Sequence, residues 1–175
     1  HRMILKILHA FTLLCMVIAS GSAIASEELR ISIAKETIVL EQRGATLNHH
    51  PGIEPKATGA ALYFEGDLFL ENDQQAGIVH GVTTLWDASP DDGEAEVRHR
   101  NLVFLLDDGQ IIASGISSYS SNPKWPSNSE EWQHLDLAIT GGTGKYLGAY
   151  GTVTSKQLNA ETYVHTIEIY TPVQD

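Results

Sequence analysis

An all-β fold, an antiparallel barrel or sandwich, is what this chain predicts, and three observations carry that expectation. Apolar and polar residues alternate along most of its length, no stretch sustains a 3.6-residue apolar period, and turn signals recur at short, regular spacing. Alternation with period two puts successive side chains on opposite faces of a strand, so each run presents one face to a core and one to water.

The elements follow in order. Residues 29–40 read as the first strand or pair of strands, with Ile31, Ile33, Ile38 and Leu40 as apolar positions, and a Gly, Pro and His-rich connection occupies 43–59. In 60–70, Leu62, Phe64, Leu68 and Leu70 alternate with Tyr63, Glu65, Asp67 and Phe69. The polar stretch 71–75 leads into a third strand over 76–86. Asp91-Asp92-Gly93 turns the chain into 97–106, and Asp107-Asp108-Gly109 turns it again into 111–119. Asp-Gly between apolar runs is a strong hairpin signal, because both central residues of the tight turn tolerate positive φ. A loop with two prolines covers 122–130, and strands at 132–140, 147–157 and 163–170 complete about eight.

The hairpin joining 132–140 to 147–157 is the most distinctive piece of the chain. Leu135 to Thr140 alternates into Gly141-Gly142-Thr143-Gly144-Lys145-Tyr146, followed by a strand with small residues at Gly148, Ala149 and Gly151. Gly-Gly-Thr-Gly-Lys sounds like a phosphate cradle. A Walker loop, however, needs a glycine five residues before Gly144 and a Ser or Thr after the lysine; those positions hold Ile139 and Tyr146. The segment is a structural turn.

The N-terminus reads as a targeting segment. After Met3 come Lys6, an apolar run over 7–19, and Ala23-Ile24-Ala25 before Ser26, so the expectation is a signal peptide over 1–25, cleaved after Ala25, and a secreted or periplasmic protein. On that expectation Met3 is the initiator and His1 and Arg2 lie upstream of it. A single domain over 26–175 follows. Its only cysteine, Cys15, lies in the leader, so the mature chain has no disulfide and depends on packing. No N-x-S/T sequon occurs, which favours a bacterial periplasm or medium.

The whole chain carries a formal net charge of −11, with 22 acidic and 11 basic residues; loss of Arg2 and Lys6 leaves 9 basic residues and a net of −13. Such a balance repels phosphate backbones and anionic membrane surfaces. Neither nucleic acid nor, after leader cleavage, a membrane is an expected partner.

The chain also resembles the allene oxide cyclase and dirigent family of β-barrels. The 135–153 hairpin carries the likeness, together with Gly66-Asp67-Leu68, Gly77-Ile78, Gly81-Val82, Phe104, Asp107 or Asp108 with Gly109, and Gly115, in the family's order over 66–170. The resemblance implies a closed eight-stranded antiparallel barrel with a hydrophobic cavity, working without metal or organic cofactor and often a homotrimer; a dimer is the other assembly considered. It implies an apolar small-molecule partner, held in the conformation that cyclises or couples, by positioning and preorganised electrostatics.

Residue by residue, the family's pocket cysteine falls at Thr83. The stretch matching its pocket glutamate and asparagine, Ile38-Val39-Leu40, offers neither, and Glu41 is the nearest carboxylate and the candidate catalytic group. Asn72 stands for a second pocket asparagine after a one-residue gap. Ser117 takes the place of a pocket tyrosine, Tyr119 shares its face, and counting back through the Asp107-Asp108-Gly109 hairpin turns His99 and Asn101 inward. Each has a bland alternative. A buried hydroxyl ordinarily finds a partner and nothing more, His99 between Arg98 and Arg100 reads equally as a surface histidine, and a carboxylate at a strand end is ordinarily solvated. His49, His50, His80, His134 and His165 are scattered without ligand spacing, so no metal is expected. Trp86, Trp125 and Trp132 read as plugs for a barrel end or a subunit contact, or as stacking platforms for a planar ligand. No G-x-S-x-G elbow supports a serine hydrolase. Three functions compete: an exported cyclase-like or dirigent-like barrel, a non-catalytic carrier of a lipid or phenolic metabolite, and a barrel filled by its own side chains.

Overall fold

Eight strands run antiparallel in chain order, and the last pairs with the first. A computed structural model describes residues 32–49, 57–87, 95–120, 134–159 and 162–173. The expected leader 1–25, the expected Asp91-Asp92-Gly93 turn and 122–130 loop, His50, Trp125 and Trp132, and the side chains of His49, Tyr119 and His134, lie outside the described residues. The strands are β1 (Ile33–His49), β2 (Ala61–Phe69), β3 (Gln75–Asp87), β4 (Ala95–Leu106), β5 (Gly109–Ser120), β6 (His134–Gly142), β7 (Tyr150–Gln157) and β8 (Tyr163–Pro172). Ten consecutive pairs, from Ile33 with Pro172 to Gln42 with Tyr163, join β1 to β8 and close the barrel. The open alternative, a sandwich, is excluded.

Two expected boundaries move. β1 continues through the expected 43–59 connection as far as His49, because a register shift between Arg43 and Thr46, with Gly44 at φ 66, lets the strand bend and keep pairing with β2. β7 begins at Tyr150 instead of 147, since a 3-10 turn over Gly144–Tyr146 and a further turn take up the intervening residues.

The Gly-Gly-Thr-Gly-Lys segment closes one end of the cylinder. Lys145 N donates to Asp108 O at 2.9 Å, Thr143 N to Gln110 O at 2.9 Å, and Gln110 N to Thr143 Oγ1 at 3.2 Å, so this turn is seated on the β4–β5 turn. Gly144 has φ +60, and a Cβ there would lie 2.3 Å from Asp108 O. Tyr146 is buried beneath, and Lys145 pairs with Glu36 at 2.9 Å across to β1. Tight turns thus crowd this closed end, while the connections after β1, β3 and β5 leave from the opposite, loop end.

Buried Leu40, Leu68, Val79, Leu102, Phe104, Ile111, Leu137, Ile139, Val153, Ile167 and Ile169 fill the closed end and middle of the bore with the chain's own side chains. Each contributes on the order of 1.5–3 kcal/mol by leaving water. Two inward glycines make the filling possible. A Cβ on Gly81 would fall 2.0 Å from Phe64 Cζ, and one on Gly66 would fall 2.7 Å from Gln42 Cγ, so each glycine is a notch for a larger neighbour. Gly81→Ala is therefore expected to destabilise by about 1–3 kcal/mol through overpacking, with Phe64→Leu restoring most of the loss. Urea melts of the two single variants and the double variant measure both.

Candidate functional site

Strand parity sorts the predicted site residues. In an antiparallel pair, directly opposite residues share a face. Thr83 pairs with Arg100, and Ser117 with Arg98, and both Thr83 and Ser117 are buried on the inner face. Tyr119 follows Ser117 at the same parity on β5. His99 and Asn101 do not face the bore. Arg100, Leu102 and Phe104 occupy the buried parity of β4, so His99 points outward, where its Nε2 lies 3.0 Å from Ser114 Oγ, and Asn101 is exposed. Counting through the hairpin was out by one residue.

Glu41 is likewise turned outward, since its neighbours Leu40 and Gln42 are the inward pair. Arg43 Nε donates to Glu41 Oε1 at 2.7 Å, and Arg43 Nη2 donates to Asp73 Oδ1 at 2.6 Å. The hydrogen bond from Arg43 holds the Glu41 carboxyl below its ordinary range, the opposite of what a general acid needs. Asn72 sits in the β2–β3 turn at the closed end, where its Oδ1 accepts from Gln74 N at 3.1 Å. It borders a groove of about 500 Å³ between 36–39 of β1 and 70–72, away from Thr83. Trp86 is 66% exposed on the outer face of β3.

The groups that do meet inside the bore are different ones. Gln42, Thr83, Arg100, Ser117, Ser155 and His165 make up its buried polar set, which among the described residues contains no Asp or Glu. Tyr163 joins them: the Arg100 guanidinium carbon lies 5.9 Å from its ring and 5.7 Å from that of Phe64. Burial pushes the Tyr163 phenol up, while the Arg100 and Arg98 charges pull it part of the way back, so both guanidinium groups bear on one point. Ser117 Oγ is buried and has no hydrogen-bond partner among the described residues.

Below this level lies a saturated relay. His165 Nε2 donates to Gln42 Oε1 at 2.9 Å, which leaves Nδ1 to accept from Ser155 Oγ at 2.8 Å, and the ring meets Phe104 edge-on at 5.2 Å. The order Ser, His and amide resembles that of a hydrolase. Its chemistry is not: complete burial, reinforced by the Arg100 charge, pushes the His165 pKa down to about 3, so the imidazole is neutral and a weak base. Among the described residues no three His, Cys, Asp or Glu side chains gather as a metal ion requires, and His80 lies outside beside Glu65 at 3.5 Å.

Sequence reasoning missed Gln42, Arg100, Ser155 and His165. The signal was present, because Ile38, Leu40 and Gln42, and Tyr163, His165, Ile167 and Ile169, each continue a period of two.

Fold and site together define a closed antiparallel barrel whose bore is apolar at one end and polar at the other. Solved structures with this fold include a pyocyanin demethylase (22% identity, TM-score 0.57, covering 75% of this chain and 100% of that one). They also include AbnU, described as an exo-specific intermolecular Diels-Alderase (15%, TM-score 0.59, 80% and 99%). A third is a nonspecific heme-binding cyclase that catalyses a cycloaddition in neoabyssomicin biosynthesis (13%, TM-score 0.53, 95% and 77%). The likeness at these identities is one of fold. No protein-family model and no curated protein sequence matches the chain.

The His165 environment makes stability depend on pH. The unfolded imidazole titrates near 6.5 and the folded one near 3, so between those values the unfolded chain holds more protons and stability falls as the pH drops. The slope is about 1.4 kcal/mol per pH unit, reaching at most about 5 kcal/mol over the whole interval. His165→Gln, which cannot titrate, flattens this acid limb; denaturant titrations from pH 7 to pH 4 read the difference.

Proposed function

We propose that this protein is an exported barrel that binds an apolar small molecule in the loop end of its bore and steers a cofactor-free cyclisation, isomerisation or coupling. The observation that carries the reading is Ser117: a buried hydroxyl with no hydrogen-bond partner among the described residues is rare, and its O–H is open to a bound molecule. Around it, Thr83, Arg98, Arg100 and Tyr163 provide hydroxyl and guanidinium donors over an apolar floor. Donors fixed in a dry site lower the barrier of a reaction whose electrons flow toward a carbonyl or similar oxygen, while the walls hold the reacting carbons together. No nucleophile is required. The cyclising neighbours of the same fold support this reading, as does the resemblance to allene oxide cyclases and dirigent proteins.

The outside of the barrel suits water. Glu65, Asp67, His80, Asp136 and Glu168 stand on its outer faces, whereas a membrane-spanning barrel carries an apolar belt there. The carrier reading is second, and the low basicity of His165 favours it, because the bore then holds no strong general base among its described residues. Turnover separates the two: a carrier releases its ligand unchanged.

Native mass spectrometry of the protein from its own host tests binding by the added mass of a retained molecule. Ser117→Phe, which sets a ring in the loop end of the bore, is expected to abolish that mass, and Thr152→Phe on the outer face to keep it. Retention by the Ser117 variant overturns the assignment of the site. Intact mass of the mature protein tests export, with Ser26 the expected first residue.

A further inference from the structure

We infer that the ligand carries an acidic oxygen, a carboxylate, enolate or phenolate, and that Arg98, Arg100, Tyr163 and Ser117 recognise it. The inference rests on the binding site proposed above and specifies the chemistry of its occupant. Three independent observations lead to it.

The first is the sign of the charge. A chain with twice as many acidic as basic residues places a buried arginine in its bore, next to a second arginine of the same strand and parity, and its buried polar set contains no described carboxylate. Burying a guanidinium is costly unless anionic or strongly polar groups surround it. A guanidinium carries five N–H donors in a planar fork that matches a bidentate oxygen ligand, and Arg98 and Arg100 can present that fork alongside the partners they have in the protein.

The second is convergence. Thr83 and Arg100 are opposite one another on β3 and β4, Arg98 and Ser117 on β4 and β5, and Tyr163 enters from β8 with its ring 5.9 Å from the Arg100 guanidinium carbon. Both arginine charges act on the Tyr163 phenol. Donors from β3, β4, β5 and β8 therefore lie together on the inward faces at the loop end of the barrel. The third is the Ser117 hydroxyl, buried with no partner among the described residues, whose O–H is available to the same oxygen.

The inward faces beside these donors are apolar. Phe64, Leu102 and Phe104 lie on the neighbouring inward positions. The geometry thus selects an amphipathic acid, its charged oxygen at the arginines and its carbon skeleton against the aromatic floor.

Matched pairs of acid and primary amide test this: 2-naphthoate with 2-naphthamide, cinnamate with cinnamamide, and decanoate with decanamide, titrated calorimetrically into the mature protein at pH 7. The acid of at least one pair is expected to bind ten-fold or more tightly than its amide. Arg98→Gln and Arg100→Gln should each reduce that preference, and the double variant should erase it while amide binding persists. Circular dichroism and melting of each variant establish that it is folded; if the Arg100 variant does not fold, Arg98→Gln and Ser117→Ala carry the same test. Equal binding of acid and amide, or a preference that survives the folded variants, overturns the acidic-oxygen inference and leaves the binding site standing. Failure of both members of every pair to bind overturns the binding site and the inference with it.

Discussion

Closure of β8 onto β1 is the constraint on which everything else depends. Ten backbone pairs remove both edges of the sheet, leaving no unpaired strand along that seam to template aggregation. Closure also turns eight separate period-two patterns into one shared interior. A residue on an inner face then has neighbours from across the bore as well as from adjacent strands, as the Phe104–His165 contact shows. Space in such a cylinder is limited, and Gly66 and Gly81 are where the chain yields it to Gln42 and Phe64. Larger residues at those two positions would have to be accommodated by moving a neighbour that the closed wall holds in place.

The bore is graded along its axis. Tight turns and Tyr146 cap the end where the leucines, isoleucines and Phe104 lie, and dispersion and burial there supply most of the favourable free energy. Polar groups gather toward the end from which the longer connections depart. Two kinds of polar group coexist there. His165 is held between Ser155 and Gln42 with both ring nitrogens bonded, so it specifies one arrangement of three strands and has little left to offer a ligand. Thr83, Ser117, Tyr163 and the two arginines form the other kind, donors aimed into the bore, and the low dielectric that weakens His165 as a base strengthens them.

Much of this was legible in the sequence, and the failures are instructive. Alternation located all eight strands, and the Asp107-Asp108-Gly109 and Gly-rich turns fell where tight turns occur at the closed end, because local backbone conformation and solvation determine both. Gly44 stood inside an apparent connection, and only the pairing of β1 with β2 on both sides of it shows the strand running through. His99 and Asn101 were turned inward by counting back through the Asp107-Asp108-Gly109 hairpin, and that count slipped by one residue. Arg100 was in fact the inward residue. General preference puts arginine in water, and the parity of Leu102 and Phe104 overrides that preference.

The order of residues alone determined the all-β class, the turn chemistry, the acidic surface and the apolar inner faces, since each follows from a few neighbours in sequence and their contact with water. It could not determine which polar groups share a space. Gln42 and His165 are 123 residues apart and meet at 2.9 Å, while Arg100 is set against Tyr163 only once β8 has returned to β1. Those contacts, and the depressed basicity of His165 that comes with them, exist because closure brings distant strands around one dry axis, and no local pattern encodes that geometry.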